Sequence, residues 1–311
     1  MKKISVVVPI YNEEENVKEL HKEICDICER EKYIYEIIFV DDGSKDRTEE
    51  NCKKLRPLKY IRLRKNFGQT AAMDAGIKAA QYDYIVTMDG DCQNDPADIP
   101  KMIAYLEEQH LDVVSGWRKN RKDTVMKKLI SRGANLLRGI IVKDHIHDSG
   151  CSLKVYRKEC FQTVSLYGEM HRFIPALLQM KGFTVGEIEV NHRPRTKGVT
   201  KYNWKRTCKG FVDMISVWFW NKYSVRPLHM MGSMGMGSIV SGLCCGVWYL
   251  SKNITGNERQ KNMIHPVCSV FLIVIGMIFF VLGLMSDVLV KIYYGMHIDN
   301  PYYVKEETDH Q

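Results

Sequence analysis

Asp89-Gly90-Asp91 puts two carboxylates one residue apart, directly after an apolar run at 84–88. With glycine between them, both can converge on one divalent cation. Hard oxygen ligands suit Mg²⁺ or Mn²⁺, and such ions commonly bridge protein carboxylates to substrate phosphates. Gln93 and Asp95 follow closely. Taken alone, the same residues also describe a polar strand-to-helix turn, with Asp95 capping a helix that begins at Pro96. A second segment, 192–210, holds Arg193, Arg195, Lys197, Lys201, Lys205, Arg206 and Lys209 and no acidic residue. Fixed cations there can neutralise phosphates, and Gly198 lets a loop fold over them. The competing reading is a solvated surface attracted to anionic lipid.

Those groups need a scaffold, and the first ~220 residues alternate strand and helix signals as a mostly parallel α/β sheet requires. Segments 4–10, 36–40, 60–63, 84–88 and 113–115 read as strands. Helical patterns run through 17–30, 48–55, 69–80, 98–108 and 125–137. Ligands of open α/β sheets bind outside the carboxyl ends of the strands. The polar clusters fall at those ends. Tyr11-Asn12-Glu13 follows the first strand, Asp41-Asp42-Gly43-Ser44 the second and Asp89-Gly90-Asp91 the fourth. No GxGxxG follows the first strand and no GxxxxGK[ST] occurs, so dinucleotide and P-loop readings lack their motifs.

The chain has 311 residues and a formal charge of +8, which favours an anionic partner: nucleic acid, a membrane surface or phosphorylated substrates. Its ten cysteines show no disulfide framework, and Cys25 and Cys28 fall at i,i+3 in a helical pattern, as on a packed helix face. Reduced thiols fit the cytoplasmic side. Met1-Lys2-Lys3 leads straight into a strand, so no cleavable signal peptide is expected. Segments 228–250 and 267–285 carry no Asp, Glu, Lys or Arg, and each can cross ~30 Å of hydrocarbon as a helix. Gly242 and Gly246 make a GxxxG suited to close helix packing. Lys205, Arg206, Lys209, Lys222 and Arg226 precede the first span and Lys291 follows the second, which predicts cytoplasmic flanks. Lys252, Arg259 and Lys261 in the connecting loop weaken that bias without reversing it. Two membrane spans and the lack of a recognition motif argue against nucleic acid.

Four segments together resemble family 2 glycosyltransferases of the GT-A fold: VVVPIYNEEENV (6–17), IIFVDDGSKDRT (37–48), NFGQTAAMDAGIKAA (66–80) and MDGDCQNDP (88–96). The likeness is to the polyprenyl-phosphate branch, with dolichol-phosphate mannosyltransferases and bactoprenol-phosphate glucosyltransferases. It continues through SGWRKNR (115–121), DSGCSLKVYR (148–157) and RTKGVTKYNWKR (195–206) into the paired spans. The resemblance implies an α/β, Rossmann-like sheet with helices on both faces. The implied layout is a cytoplasmic catalytic domain at 1–202, an interfacial amphipathic region at 203–226, transmembrane helices at about 228–250 and 264–286, and a cytoplasmic tail at 291–311. It also implies an integral protein of a bacterial inner or plasma membrane, with homo-oligomerisation left open.

Residue by residue, the resemblance puts Pro9, Tyr11 and Glu13 at the base and ribose of a nucleotide-sugar, with Asp42 on the base edge. Asp89 and Asp91 would face a metal ion (Mg²⁺ or Mn²⁺) and the diphosphate, with Gln93 beside them. Arg118 would approach the acceptor phosphate or the sugar, and Asp148 the acceptor side of the reaction centre. Arg195, Thr200 and Lys201 match an RxxGxSK phosphate loop, with threonine in place of serine. Glu169, His171 and Arg172 either hold sugar hydroxyls or start a helix. The implied reaction is inverting hexose transfer to membrane polyprenyl phosphate, UDP-glucose being the favoured donor. GDP-mannose, a glycan-extending transferase and a non-catalytic membrane scaffold are the alternatives.

Overall fold

The computed structural model describes residues 1–119, 146–162, 164, 166, 168, 170–194, 219, 222–223, 226–255 and 263–296. The chain forms two compact units, Met1–Val217 and Trp218–Gln311. In the first, strands β1 (Lys3–Ile10), β2 (Ile34–Asp41), β3 (Lys59–Arg62) and β4 (Tyr84–Thr87) run parallel. Helices α1 (Val17–Arg30), α2 (Thr48–Cys52) and α3 (Gln69–Ala79) connect them. After α4 (Ile99–Glu108) come β5 (Val113–Trp117), β6 (Lys154–Arg157), α5 (Ile174–Met180) and β7 (Val185–Glu189). The sheet order is β3-β2-β1-β4-β6-β5-β7. β6 is antiparallel to both neighbours, whereas β5 and β7 are parallel.

Strand alternation divides the core into two layers. Ile4, Val6, Val8, Ile37, Phe39 and Val86 meet Leu20 and Ile24 of α1 and Met102 and Leu106 of α4. On the other face Val7, Ile38, Val40, Ile85, Val113 and Tyr156 meet Ala72, Met73 and Ile77 of α3 and Ile174 and Leu178 of α5. A sheet buried on both faces demands nearly continuous apolar strands, which is why β1 and β2 stand out in the sequence. Gly76 lets α3 approach the sheet: a Cβ there would press on Val7 Cγ1 and lie 3.0 Å from Val40 Cγ2. Gly76→Ala should therefore lower stability by about 1–3 kcal/mol through overpacking. Thermal or denaturant unfolding of the purified protein reads this directly, and an unchanged midpoint would mean the contact relaxes freely.

β6 and β7 are additions to the expected strands, and β6 reverses direction between β4 and β5. The helix expected at 48–55 ends at Cys52, and the one expected at 125–137 lies outside the described residues.

In the second unit, α6 (Pro227–Thr255) and α7 (Ile264–Met296) pack against each other. Both are long and apolar enough to cross a membrane. Leu250, Val267, Phe271 and Leu289 are each 58–64 % exposed, an apolar exterior suited to lipid and unlike the core of a soluble protein. Gly242 and Gly246 face α7, where an added Cβ would meet Ser269 at 2.8 Å in each case. α7 extends ten residues past the expected span end. Hydropathy marks only its apolar part, whereas the Asp287–Lys291 pair at i,i+4 supports continued helix.

Candidate active site

Tyr11, Glu13, Asp42, Asp89, Asp91, Gln93, Arg118 and Asp148 all lie beyond, or just before, a strand end on one edge of the sheet. Pro9 belongs to β1, and Tyr11 and Glu13 lie in the turn that follows it. That turn is laced to the one after β2. The Asn12 amide donates to Ser44 Oγ and the Glu13 amide to Thr48 Oγ1, both at 2.9 Å. Glu13 is buried, and its carboxylate accepts from Asn16 Nδ2 at 2.7 Å.

The paired aspartates after β2 have different surroundings. Asp41 is wholly buried and accepts from the Ser44 amide at 2.8 Å and the Tyr60 hydroxyl at 2.6 Å, so it holds the turn. Asp42 accepts from the Phe67 and Gly68 amides at 2.7 and 2.9 Å, fixing the loop that enters α3. Burial pushes its pKa up, and those two amides oppose the shift. Each Asp42 oxygen retains a lone pair, so base-edge recognition requires sharing with these amides.

Asp89 and Asp91 extend beyond β4 with Gly90 between them. A Cβ on Gly90 would lie 2.7 Å from Ile10 Cγ2 and 3.3 Å from the Pro9 carbonyl oxygen, so only glycine seats this turn against the end of β1. Gln69, the first residue of α3, donates to Asp89 Oδ1 at 2.7 Å. The Gln93 amide donates to Asp91 Oδ1 at 3.2 Å. Burial and the neighbouring charge of Asp91 raise the Asp89 pKa, opposed by the Ser152 hydroxyl. Two like charges crowded in a half-buried site call for a cation. Among the described residues no group of three or more His, Cys, Asp or Glu forms a complete metal cage. The donor set therefore fits an ion that takes its remaining oxygens from substrate and water, the habit of Mg²⁺ at phosphate sites.

Arg118, just past β5, grips Asp148, which lies six residues before β6. Nε to Oδ2 is 2.7 Å and Nη2 to Oδ1 is 2.9 Å, a two-point ion pair with side chains only 11 % and 15 % exposed. Burial alone would lower the arginine pKa; the Asp148 hydrogen bond and charge outweigh it and raise the value. The Asp148 and His147 amides donate to Glu187 of β7 at 2.8 and 2.9 Å. His147 stacks on Trp117 at 4.6 Å and hydrogen-bonds Glu187 at 2.8 Å, contacts that anchor the loop before β6.

Several contributors were not singled out from sequence. Asn94 is buried and accepts from both the Asp89 amide, at 3.2 Å, and Ser152 Oγ, at 2.8 Å, joining the acidic turn to the approach of β6. Arg193 belongs to the basic segment, but it pairs with Glu23 at 2.8 and 2.9 Å and Asp95 at 2.8 Å, so its charge holds structure. Its amide donates to the Gln93 carbonyl at 2.9 Å, which brings the start of that segment beside the acidic turn. Arg195, Thr200 and Lys201 lie outside the described residues, as does Glu169. His171 is buried and bonds Thr70 at 2.7 Å, ahead of the helix that starts at Ile174. That geometry favours the helix-start reading at His171. Lys154, buried in β6, is the remaining surprise. Its place in DSGCSLKVYR (148–157) was the only signal.

Comparison with known proteins adds an independent line. Dodecaprenyl-phosphate galacturonate synthase of Rhizobium johnstonii is 39 % identical over 99 % of this chain and 94 % of its own length. Undecaprenyl-phosphate 4-deoxy-4-formamido-L-arabinose transferase of Salmonella choleraesuis is 30 % identical over 98 % and 94 %. Among solved structures, glucosyl-3-phosphoglycerate synthase of Mycobacterium tuberculosis, in complex with Mn²⁺, UDP and phosphoglyceric acid, aligns with a TM-score of 0.57. It is 15 % identical and covers 71 % of this chain and 78 % of that one. Mannosyl-3-phosphoglycerate synthase of Rubrobacter xylanophilus gives 0.56 at 16 % identity, over 70 % and 74 %. These structural likenesses agree with the GT-A fold. The model of Glycosyl transferase family 2 matches residues 5–165, spanning β1 to beyond β6 and all the polar strand ends described above. Together with the two full-length relatives, that match places this chain in glycosyl transferase family 2, as a glycosyltransferase of GT-A fold.

Proposed function

We propose that this protein transfers a sugar from a nucleotide diphosphate to the phosphate of a membrane polyprenol. The observation that carries the reading is the length of the similarity. It runs through the catalytic sheet and both apolar helices, to two relatives whose names specify polyprenyl phosphate. The catalytic unit then faces the cytosol, on the side of the basic flanks of the spans. UDP-glucose is the donor suggested by the sequence resemblance, and the relatives' names specify a galacturonate and a formamido-arabinose. No QxxRW-type motif occurs, which disfavours a glycan-extending transferase.

The chemistry follows from the ends of the strands. The nucleophile is a phosphate monoester whose second pKa is ~6, so it is mostly anionic at neutral pH and barely needs a base. Pro9, Tyr11, Glu13 and Asp42 hold the nucleotide at the ends of β1 and β2. Asp89 and Asp91 would hold a divalent ion, which when bound offsets negative charge on the departing diphosphate. Gln93 lies beside that leaving group. The Arg118–Asp148 pair faces the acceptor, its guanidinium fixed in plane to meet phosphate oxygens. A single in-line displacement inverts the anomeric centre and forms no enzyme-bound intermediate.

Arg195, Thr200 and Lys201 complete the acceptor clamp. Arg193, two residues earlier, is already tied to Gln93. Replacing Arg195 or Lys201 with alanine should cost about 1.5–3 kcal/mol of transfer, the worth of a charge-assisted hydrogen bond. Membrane association should persist through α6 and α7. Unchanged turnover per membrane-bound enzyme would instead mark the segment as a solvated surface. The general reading is tested by incubating the full chain and undecaprenyl phosphate with a panel of sugar nucleotides and weighing the lipid products. Absence of any lipid-phosphate sugar would overturn it.

A further inference from the structure

Lys154 is a buried cation that the reaction above does not use. It is 3 % exposed, and its one hydrogen-bond acceptor among the described residues is the Ser149 carbonyl oxygen, at a long 3.4 Å. An ammonium carries three donors, and withdrawing it from water without an acceptor costs several kcal/mol. Beside it stands a second orphan. Ser115 pairs directly with Lys154 across the β5–β6 ladder, so both side chains rise from the same face of the sheet. Ser115 Oγ is wholly buried and has no hydrogen-bond partner among the described residues. Thr87 pairs with Lys154 from the other side, but its hydroxyl already donates to the Ser152 carbonyl oxygen at 3.0 Å. The strand pairing therefore builds two adjacent, buried donors that share a single long contact, to the Ser149 carbonyl, among the described residues.

Their position narrows what that acceptor is. Asp89 lies two residues beyond Thr87, and Arg118 lies three beyond Ser115. The donor pair therefore sits one step inward from the acidic turn and the Arg118–Asp148 ion pair. Burial lowers the Lys154 pKa, and the carboxylates of Asp148 and Asp89 oppose that shift. A diphosphate at Asp89 and Asp91 would bring its attached sugar to the end of β4, whose Thr87 pairs with Lys154. The acceptor phosphate carries a lipid and meets the basic segment instead.

We infer that Lys154 and Ser115 form a carboxylate-reading subsite for the donor sugar, making a uronic-acid nucleotide the preferred donor class. The inference rests on the nucleotide-sugar reading above and supplies the substrate class which that reading leaves open. A carboxylate satisfies both orphans at once, one oxygen on the ammonium and one on the hydroxyl. A neutral hexose brings a hydroxymethyl group, which offers the ammonium a hydroxyl but no direct ion pair. Discrimination by an unpaired buried group is far stronger than discrimination by shape.

UDP-galacturonate and UDP-galactose differ only at C6 and make the test direct. Using full-length protein in detergent with undecaprenyl phosphate, kcat/KM should favour the uronate at least about tenfold. Lys154→Met should cut that preference at least about tenfold, and Ser115→Ala should reduce it in the same direction. Ser115→Ala keeps the test available where the methionine variant fails to fold. Equal loss for both donors in Lys154→Met would overturn the subsite and leave the lysine a structural or electrostatic role. A raised KM for undecaprenyl phosphate, with the donor ratio unchanged, would overturn it in favour of acceptor binding. Calorimetric titration of both nucleotides separates this inference from the transferase reading. Tighter, Lys154-dependent binding of UDP-galacturonate with no lipid product from any donor would keep the subsite and overturn the transferase. Lipid products formed only from neutral donors would do the reverse.

Discussion

Asparagine at Asp89 or Asp91 is expected to lower transfer about 100- to 1000-fold, the scale seen when a fixed charge-stabilising group is taken from a transition state. Asparagine keeps the shape and an acceptor oxygen, so the Gln69 contact at Asp89 and the Gln93 amide contact at Asp91 can both survive. What disappears is the charge proposed to face a metal-bound diphosphate. Stability should move the other way at Asp89. Its folded pKa is raised by burial and by Asp91, so ionisation there costs folding free energy, a cost that is absent at low pH and appears as pH rises through the unfolded value. Removing that charge should leave the neutral-pH unfolding midpoint unchanged or higher. Steady-state transfer at limiting Mg²⁺ or Mn²⁺, read beside thermal unfolding, checks both halves. Turnover like the wild type in either variant would remove these carboxylates from the reaction.

The parallel half of the sheet was legible because burial on both faces leaves a continuous apolar signature. β1, β2 and β4 carry it, and α1 has the same bounds in sequence and structure. Glycine between two carboxylates after an apolar strand likewise marks a local turn, and Gly90 occupies that turn for a steric reason visible in the fold. β6 and β7 were not legible. β6 has four residues, Lys-Val-Tyr-Arg, and its charged ends read as solvent-exposed. β7 alternates two glutamates with apolar residues at the sheet's edge, and Glu187 serves the loop before β6. The partners of Arg193, Asn94 and Lys154 are set by pairings between segments far apart in the chain. Such pairings leave no local period, so a residue that looks like part of a basic run, a turn or an exposed strand can prove to be structural or buried.

Asp148→Asn should reduce transfer about 10- to 150-fold, the equivalent of about 1.5–3 kcal/mol for a lost charge-assisted contact. The defect should stay constant between about pH 7 and 9. Both carboxylate oxygens are held by Arg118, at 2.7 and 2.9 Å, and Oδ2 also accepts from the Arg118 amide at 3.3 Å. A carboxylate so engaged would have to break a mostly buried ion pair before it could take a proton. Breaking such a pair costs about 3–5 kcal/mol, more than deprotonating a phosphate of pKa ~6 could return at neutral pH. Positioning is therefore the role that fits: Asp148 holds the guanidinium plane, and the guanidinium is the group proposed to meet the acceptor. Arg118→Lys should resemble Asp148→Asn, because a lysine cannot reproduce the two-point contact. Single-turnover transfer across the pH range, with donor binding measured separately, distinguishes the two roles. A required base would become less necessary as the acceptor ionises in solution, so its loss would be rescued by raising the pH. A defect that shrinks steadily toward pH 9 would overturn positioning. A flat defect shared by Asp148→Asn and Arg118→Lys is the expected result, since the geometry of the pair does not depend on the protonation of its ligand.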